Sequence, residues 1–322
     1  MLHLKQIDIT YPQLTKPTLA NLSLQVDKNE IVALVGPSGS GKSTLLKIAA
    51  GLLKVDKGEV SLNKIHINNP EEQLVAGHAK IKMIHQDYNL FPKVSVEDNI
   101  EFHVRHLVDK QKHRRINEML KLCKLEKLKD KKPYELSGGE KQRLAIAKTL
   151  ADEPLLLLMD EPFTALDNIL KNEIMDDIFE IIAKANISTL FVTHDTKDAI
   201  SYAHRVLVMK KGKIISNASP ALTYQQPKNK FVAEFFGNAN IVASSLAHLL
   251  AIITPTTDTI LIRYENIYED QTGFEAMVLE SKYLGYCYEN KILIANTITL
   301  KMWTSEKPSS IIKIKIGSYW EL

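Results

Sequence analysis

Short apolar runs alternate with longer helical patterns over the first two thirds of the chain. Residues 31–35 (Ile-Val-Ala-Leu-Val) and 155–159 (Leu-Leu-Leu-Leu-Met) are apolar at every position. Such runs read as strands of a parallel sheet covered on both faces, where no position faces water. Residues 188–193 read as one more buried strand, and 81–85 as another that ends at Gln86. The segments 2–10, 19–26 and 60–67 also read as strands, 2–10 and 60–67 with alternating apolar and polar positions. Turn signals at Tyr11-Pro12 and Asp56-Lys57-Gly58-Glu59 separate them, while 206–209 and 213–216 flank a hairpin at Lys210-Lys211-Gly212. Helical spacing governs 45–50 up to Gly51, most of 95–133, the stretch from Ser137 through Leu150, and 168–184. Ser95 with Asp98, and Ser137 with Glu140, have the spacing of capping boxes and mark two helix starts. Strands alternating with helices predict an α/β fold.

Beyond residue 220 the pattern changes. A short helix is expected at 230–236 and a linker at 237–240. Residues 259–264, 274–283, 291–300 and 311–316 are rich in β-branched and aromatic residues, with turns between them. Strands with no helix between them predict a small all-β barrel or sandwich, in which Tyr264, Tyr268, Tyr283, Tyr286, Tyr288 and Trp303 serve packing. The two halves show no internal repeat.

Composition narrows this picture only slightly. At 322 residues, two domains are expected. The 45% hydrophobic and 25% charged content is that of a globular protein, and a net charge of +3 gives no argument for a nucleic-acid partner. Cys123 and Cys287 lie far apart and form no ligand cluster, which fits a reduced, cytosolic chain without a structural metal site. The first ten residues read as a strand and not as a signal peptide. No apolar run approaches membrane-spanning length, so work at a membrane would require docking through a partner. The charge runs His113-Arg114-Arg115 and 127–132 read as a solvated helical face.

The chemistry lies at the ends of the apolar runs. After 31–35 comes Gly36-Pro37-Ser38-Gly39-Ser40-Gly41-Lys42-Ser43-Thr44, and then a helix. A strand, a glycine-rich loop and a helix in that order make a phosphate cradle. Backbone N–H groups turn inward, Lys42 supplies a point charge, the Ser43 hydroxyl is placed for Mg²⁺, and the helix N-terminus faces the anion. After 155–159 come Asp160 and Glu161. Adjacent carboxylates at a buried strand end are costly unless they meet a cation or a reacting group. Strand carboxyl ends line the ligand crevice of an open α/β sheet, so Asp160 is placed to hold Mg²⁺ and Glu161 to polarise water. His194, at the end of 188–193, reaches the same edge and is placed to hydrogen-bond a γ-phosphate. Gly138 and Gly139 at a helix start fit either an anion approaching the backbone or a flexible hinge. Tyr11 reads locally as an ordinary strand-end aromatic, and Gln86 is unremarkable by itself.

In this order the motifs resemble those of ABC (ATP-binding-cassette) ATPases, a P-loop NTPase family, over about residues 1–235, with a helical subdomain at about 90–150. The resemblance implies that Tyr11 stacks on adenine and that Gly36, Pro37, Ser38, Gly39, Ser40, Gly41, Lys42, Ser43 and Thr44 form the Walker A loop. It implies that Gln86 contacts Mg²⁺ and senses a transmembrane partner, and that Ser137, Gly138, Gly139 and Glu140 are the signature motif. Asp160 and Glu161 are then the Walker B aspartate and catalytic glutamate, Ala165-Leu166-Asp167 the D-loop, and His194 the switch histidine. Residues 241–322 resemble the OB/TOBE-like barrel on ATPases of importers for maltose-type sugars, polyamines, iron(III), sulfate and molybdate. Phe235-Phe236-Gly237-Asn238-Ala239-Asn240, Arg263-Tyr264-Glu265 (where the family has Arg-Pro-Glu) and Tyr283-Leu284-Gly285 carry that resemblance.

The function implied is ATP hydrolysis driving import. Two ATP would be sandwiched in a head-to-tail homodimer whose signature motif acts in trans. The pair would sit on the cytoplasmic face of the membrane against permease subunits, with an extracytoplasmic binding protein as an indirect partner. An exporter ATPase or a non-transport ABC protein is the alternative. One copy of each motif argues against the non-transport class, and the C-terminal β domain argues against an exporter.

Overall fold

The computed structural model describes the chain apart from residues 68–69, 73–75, 85–88, 163–167 and 253–254. Gln86 and the segment Ala165-Leu166-Asp167 therefore lie outside the described residues. The chain divides into two compact units, Met1–Pro220 and Ala221–Leu322.

In the first unit the strands are β1 (Leu2–Ile9), β2 (Leu19–Val26), β3 (Ile31–Val35), β4 (Lys57–Leu62), β5 (Ile65–His66), β6 (Ile81–Ile84), β7 (Leu156–Asp160), β8 (Ser188–Val192), β9 (Arg205–Lys210) and β10 (Lys213–Ala218). The helices are α1 (Lys42–Ala49), α2 (Val96–Val104), α3 (Asp109–Leu122), α4 (Gly138–Ala151), α5 (Asn168–Lys184) and α6 (Thr196–Tyr202). Among the described residues, one sheet has the order β10-β9-β3-β8-β7-β6, parallel throughout except for β10. The apolar runs supply its interior: every residue of β3 is buried, as is Leu156 through Met159 of β7, and β8 is buried throughout although it opens on Ser188 and Thr189. An antiparallel sheet, β2-β1-β4-β5, shares its core. Leu2, Leu4 and Ile7 pack in one cluster with Leu34, Leu45, Leu158 and Leu190, which explains the alternation seen at the start of the chain.

Two expectations are corrected in this unit. Residues 60–67 do not form one strand. The chain turns at Asn63 and Lys64, both left-handed (φ 50° and 67°), so β4 and β5 make a tight hairpin. The helical stretch 95–133 is broken after Val104 and again after Leu122, and α2 keeps its capping box, with Ser95 Oγ accepting from Asp98 N.

The second unit contains α7 (Pro220–Gln225, starting at the boundary), α8 (Lys230–Phe235) and the strands β11 (Ala239–Ala243), β12 (Thr259–Arg263), β13 (Ile267–Tyr283), β14 (Tyr288–Ile294), β15 (Ile298–Thr304), β16 (Ile311–Ile316) and β17 (Trp320–Glu321). Its strands pair antiparallel in two sheets, β11-β12-β17 and β15-β14-β13-β16, around Ile260, Ile262, Ile292, Leu300, Met302 and Ile314. Residues 291–300 are a hairpin and not a strand, because Ala295 and Asn296 are both left-handed (φ 49° and 53°). Ala239 and Asn240, expected in a linker, already pair with Arg263 and Ile262 in β11·β12.

Arg263 ties this unit together. It is buried, and burial pulls its pKa down. Its guanidinium donates to the backbone carbonyls of Tyr224, Ala233 and Gly237 and lies 4.0 Å from the Tyr224 ring centre. Tyr224 in turn donates its hydroxyl to Glu265 at 2.8 Å. Arg263→Ala should destabilise this unit by about 3 kcal/mol, because the three carbonyls lose their donors in a buried setting. Denaturant unfolding of the purified chain checks this, and a change below about 0.5 kcal/mol, the scale of an ordinary surface substitution, would refute it.

Candidate functional site

The carboxyl ends of the neighbouring strands β3, β8 and β7 bring three sequence motifs to one edge of the sheet. Beyond β3 the chain turns through Gly36. A Cβ at that position would stand 2.2 Å from the Met209 carbonyl oxygen, so only glycine lets the loop lie against β9. The loop closes with Ser40 N–H donating to Pro37 O. Helix α1 then starts from left-handed Gly41, with no side-chain cap and no acidic residue in its first turn. Its first N–H groups and positive end are thus left for an anion. Lys42 folds back over the loop and donates to Gly36 O at 2.9 Å and Pro37 O at 3.1 Å. Burial pushes its pKa down, and Glu161 and Asp160 pull it up.

Ser43 Oγ donates to Asp160 Oδ1 at 3.2 Å, joining the glycine-rich loop to the end of β7. Glu161, the next residue, is left-handed with φ 47°. That conformation costs a non-glycine residue about 1–3 kcal/mol and turns the chain sharply out of the strand. Two contacts hold the turn: Glu161 N–H donates to Val192 O, and buried Gln142 of α4 donates to Pro162 O. His194 Nδ1 lies 3.4 Å from Glu161 Oε2, and its side chain is 62% exposed. Tyr11 reaches the same region, with its hydroxyl 3.3 Å from Thr44 Oγ1.

A cavity of about 430 Å³ lies between these groups, lined by Thr18, Gly36, Ser38, Gly39, Gly41, Lys42, Ser43, Thr44, Glu161 and His194. Two hydroxyls of this region, Thr18 Oγ1 and Ser40 Oγ, are buried with no hydrogen-bond partner among the described residues. Orphaned buried donors beside a helix N-terminus and a lysine suit an anion with several oxygens. Sequence reasoning missed Thr18, which carries no motif and enters only because β2 begins beside the loop. It also missed the support from the β9–β10 hairpin, where Gly212 N–H donates to Ser40 O.

The motif at 137–140 opens α4. Ser137 caps α4: its Oγ accepts from Glu140 N–H at 3.3 Å, and Glu140 Oε2 accepts from Ser137 N–H at 2.7 Å. That backbone N–H holds the Glu140 carboxyl below the usual range. Gly139 has a packing reason of its own, since a Cβ there would meet Ile174 of α5 at 2.9 Å. Ser137, Gly138, Gly139 and Glu140 are not among the described residues that line the 430 Å³ cavity.

The ABC transporter family profile matches residues 19–164. The chain is 40% identical over 231 residues to the sulfate/thiosulfate import ATP-binding protein CysA of Halalkalibacterium halodurans, covering 69% of this chain and 63% of that one. It is 38% identical over 233 residues to the spermidine/putrescine import ATP-binding protein PotA of Thermotoga maritima, covering 72% and 62%. The chain thus spans about three fifths of the length of these curated relatives. Among solved structures it resembles the dimeric ATP-binding cassette MJ0796 in a post-hydrolysis state bound to ADP and Pi. That match has a TM-score of 0.57 and 31% identity, and covers 68% of this chain and 99% of the cassette.

Proposed function

We propose that this chain, which belongs to the ABC transporter family, is the ATP-hydrolysing subunit of a membrane importer. The observation that carries this reading is the convergence of Lys42, Ser43, Glu161 and His194 on one cavity at the ends of adjacent strands. ATP is the substrate whose phosphates this cavity suits. Tyr11 takes the adenine, and Gly36, Pro37, Ser38, Gly39, Ser40, Gly41, Lys42, Ser43 and Thr44 wrap the phosphates. Lys42 provides the charge that two backbone carbonyls now occupy. Ser43 Oγ and Asp160 Oδ1, already 3.2 Å apart, form a hard-oxygen pair that fits Mg²⁺, with Gln86 as a third contact. Bound Mg²⁺ supplies charge neutralisation on the phosphates. Glu161 orients and polarises the attacking water, and His194 holds the γ-phosphate as charge develops.

The site is half of a working unit. Ser137, Gly138, Gly139 and Glu140 complete it on the ATP of a second subunit in a head-to-tail pair. Two observations support this reading: none of these residues is among the described lining of the chain's own cavity, and the similar cassette is dimeric. We assign residues 1–235 to the cassette and 241–322 to a TOBE-like barrel, with α7 and α8 at the end of the first stretch packing in the second compact unit. The names of the curated relatives favour import, with cargo drawn from inorganic anions, polyamines or iron(III). Among the described residues no helix is long and apolar enough to cross a membrane. In this reading the subunit meets the membrane through permease subunits at the cytoplasmic face, and an extracytoplasmic binding protein acts indirectly. Affinity purification of the tagged chain from membranes of its own cells should recover two polytopic membrane proteins together with ATPase activity. Recovery of the chain without membrane subunits, or with ribosomes or DNA, would refute the transport reading.

A further inference from the structure

Next to His194 lies a buried charge cluster that none of the motifs includes. Lys171, on the first turn of α5, is 9% exposed. Its ammonium donates to Asp195 Oδ2 at 3.0 Å and lies 2.8 Å from Asp198 Oδ2. Thr193 Oγ1 donates to Asp198 Oδ2 at 3.0 Å and accepts from Asp195 N–H at 3.0 Å. Asp195 also caps α6 by accepting from Lys197 N–H at 2.9 Å. Residue 194 is therefore pinned on both sides, at 193 and at 195, by a ring that closes through Lys171.

The ring has a direction. Asp198 is buried, and so is the hydroxyl-bearing Thr193. Two buried or half-buried carboxylates facing one another need a cation between them, and Lys171 is that cation. Without it, Asp195 and Asp198 repel, the α6 cap loosens, and the backbone at 193–195 loses its anchor to α5. The His194 ring is largely exposed and approaches Glu161 at 3.4 Å, so its placement depends on that backbone. Lys171 itself lines no part of the described cavity.

We propose that Lys171 is a positioning residue: it sets His194 against Glu161 by bridging Asp195 and Asp198, and it ties the histidine to the start of α5. The inference rests on the reading of Glu161 and His194 given above. A side chain that acts by placing another should affect turnover more than substrate binding. It should also be replaceable by a side chain that restores the bridge.

The test uses the full chain, with steady-state ATP hydrolysis in Mg²⁺ and equilibrium binding of a fluorescent ATP analogue. Lys171→Met should lower kcat by about 10- to 100-fold, the scale that a misplacement of about an ångström costs. Its KM and analogue affinity should stay within about twofold of the parent. Lys171→Arg, which keeps the charge, should recover most of the loss. In a His194→Ala background, with residual phosphate release followed over hours, adding Lys171→Met should cost less than about twofold, because residues acting through one another are not additive. Unchanged kcat in Lys171→Met overturns the proposal. So does an equal loss of binding and turnover, failure of arginine to rescue, or a full additional loss in the His194→Ala background. If His194→Ala hydrolyses ATP at the parent rate, the reading of the site itself fails, and the role of Lys171 fails with it. If His194→Ala is impaired and Lys171→Met is not, only the positioning role is refuted.

Discussion

Glu161→Gln should bind ATP as the parent does and hydrolyse it about 100- to 1,000-fold more slowly, the range that general-base and preorganised electrostatic contributions span. The substitution keeps the shape of the side chain and removes its charge. The left-handed backbone at 161 is unaffected, as are its N–H bond to Val192 O and the Gln142 bond to Pro162 O, so the turn that presents the side chain survives. What is lost is the carboxylate charge and basicity facing the cavity, 3.4 Å from His194. Removing one negative charge near Lys42 also strengthens the lysine for phosphate, so affinity should hold or rise. Single-turnover hydrolysis beside equilibrium nucleotide binding separates the two effects. Near-parental turnover would take Glu161 out of the role proposed for it.

Lys42→Ala should abolish useful ATP affinity. Truncating one partner of a desolvated charge pair costs about 2–5 kcal/mol, or a loss of about 30-fold or more in Kd. The fold should tolerate the change. Lys42 donates to two loop carbonyls, and its pKa is pushed down by burial, so its charge is a burden on the fold. An ammonium that is poorly hydrated in its own pocket is well prepared for polyphosphate oxygens. Calorimetric titration with ATP, together with a thermal melt, checks both halves of this expectation. Parental affinity in a folded Lys42→Ala chain would remove the central assignment.

The parts of the site that were legible in the sequence are those whose chemistry is local. The loop at 36–44 carries its own glycines, lysine and serine, the strand that ends in Asp160-Glu161 is apolar throughout, and the one before His194 is rich in β-branched residues. A parallel sheet then brings such ends to one edge without further information. What escaped notice depends on distant contacts. Thr18 enters the cavity through strand placement, and Lys171 gains its role from Asp195 and Asp198, more than twenty residues away. Gly139 is as much a packing residue against Ile174 as a helix-start glycine. The missed hairpins have one physical origin. Asn63-Lys64 and Ala295-Asn296 adopt left-handed turns with no glycine, so neither pair announces a turn between apolar runs.

The tie at Arg263 has a consequence for how this part of the chain can drift in sequence. Its hydrogen-bond acceptors are main-chain carbonyls of residues 224, 233 and 237, which every amino acid supplies. Apart from Tyr224, whose ring Arg263 stacks on, substitutions in α7 and α8 can therefore accumulate without a compensating change at 263, provided that the helices keep their course. A salt bridge at the same place would have bound two positions to change together. Here Arg263 and the Tyr224 ring it stacks on are tied by side chain, while the residues at 233 and 237 are held only through their carbonyls, so much of the region can change its letters and keep its architecture, down to the Tyr264 that stands where the resembling family has proline.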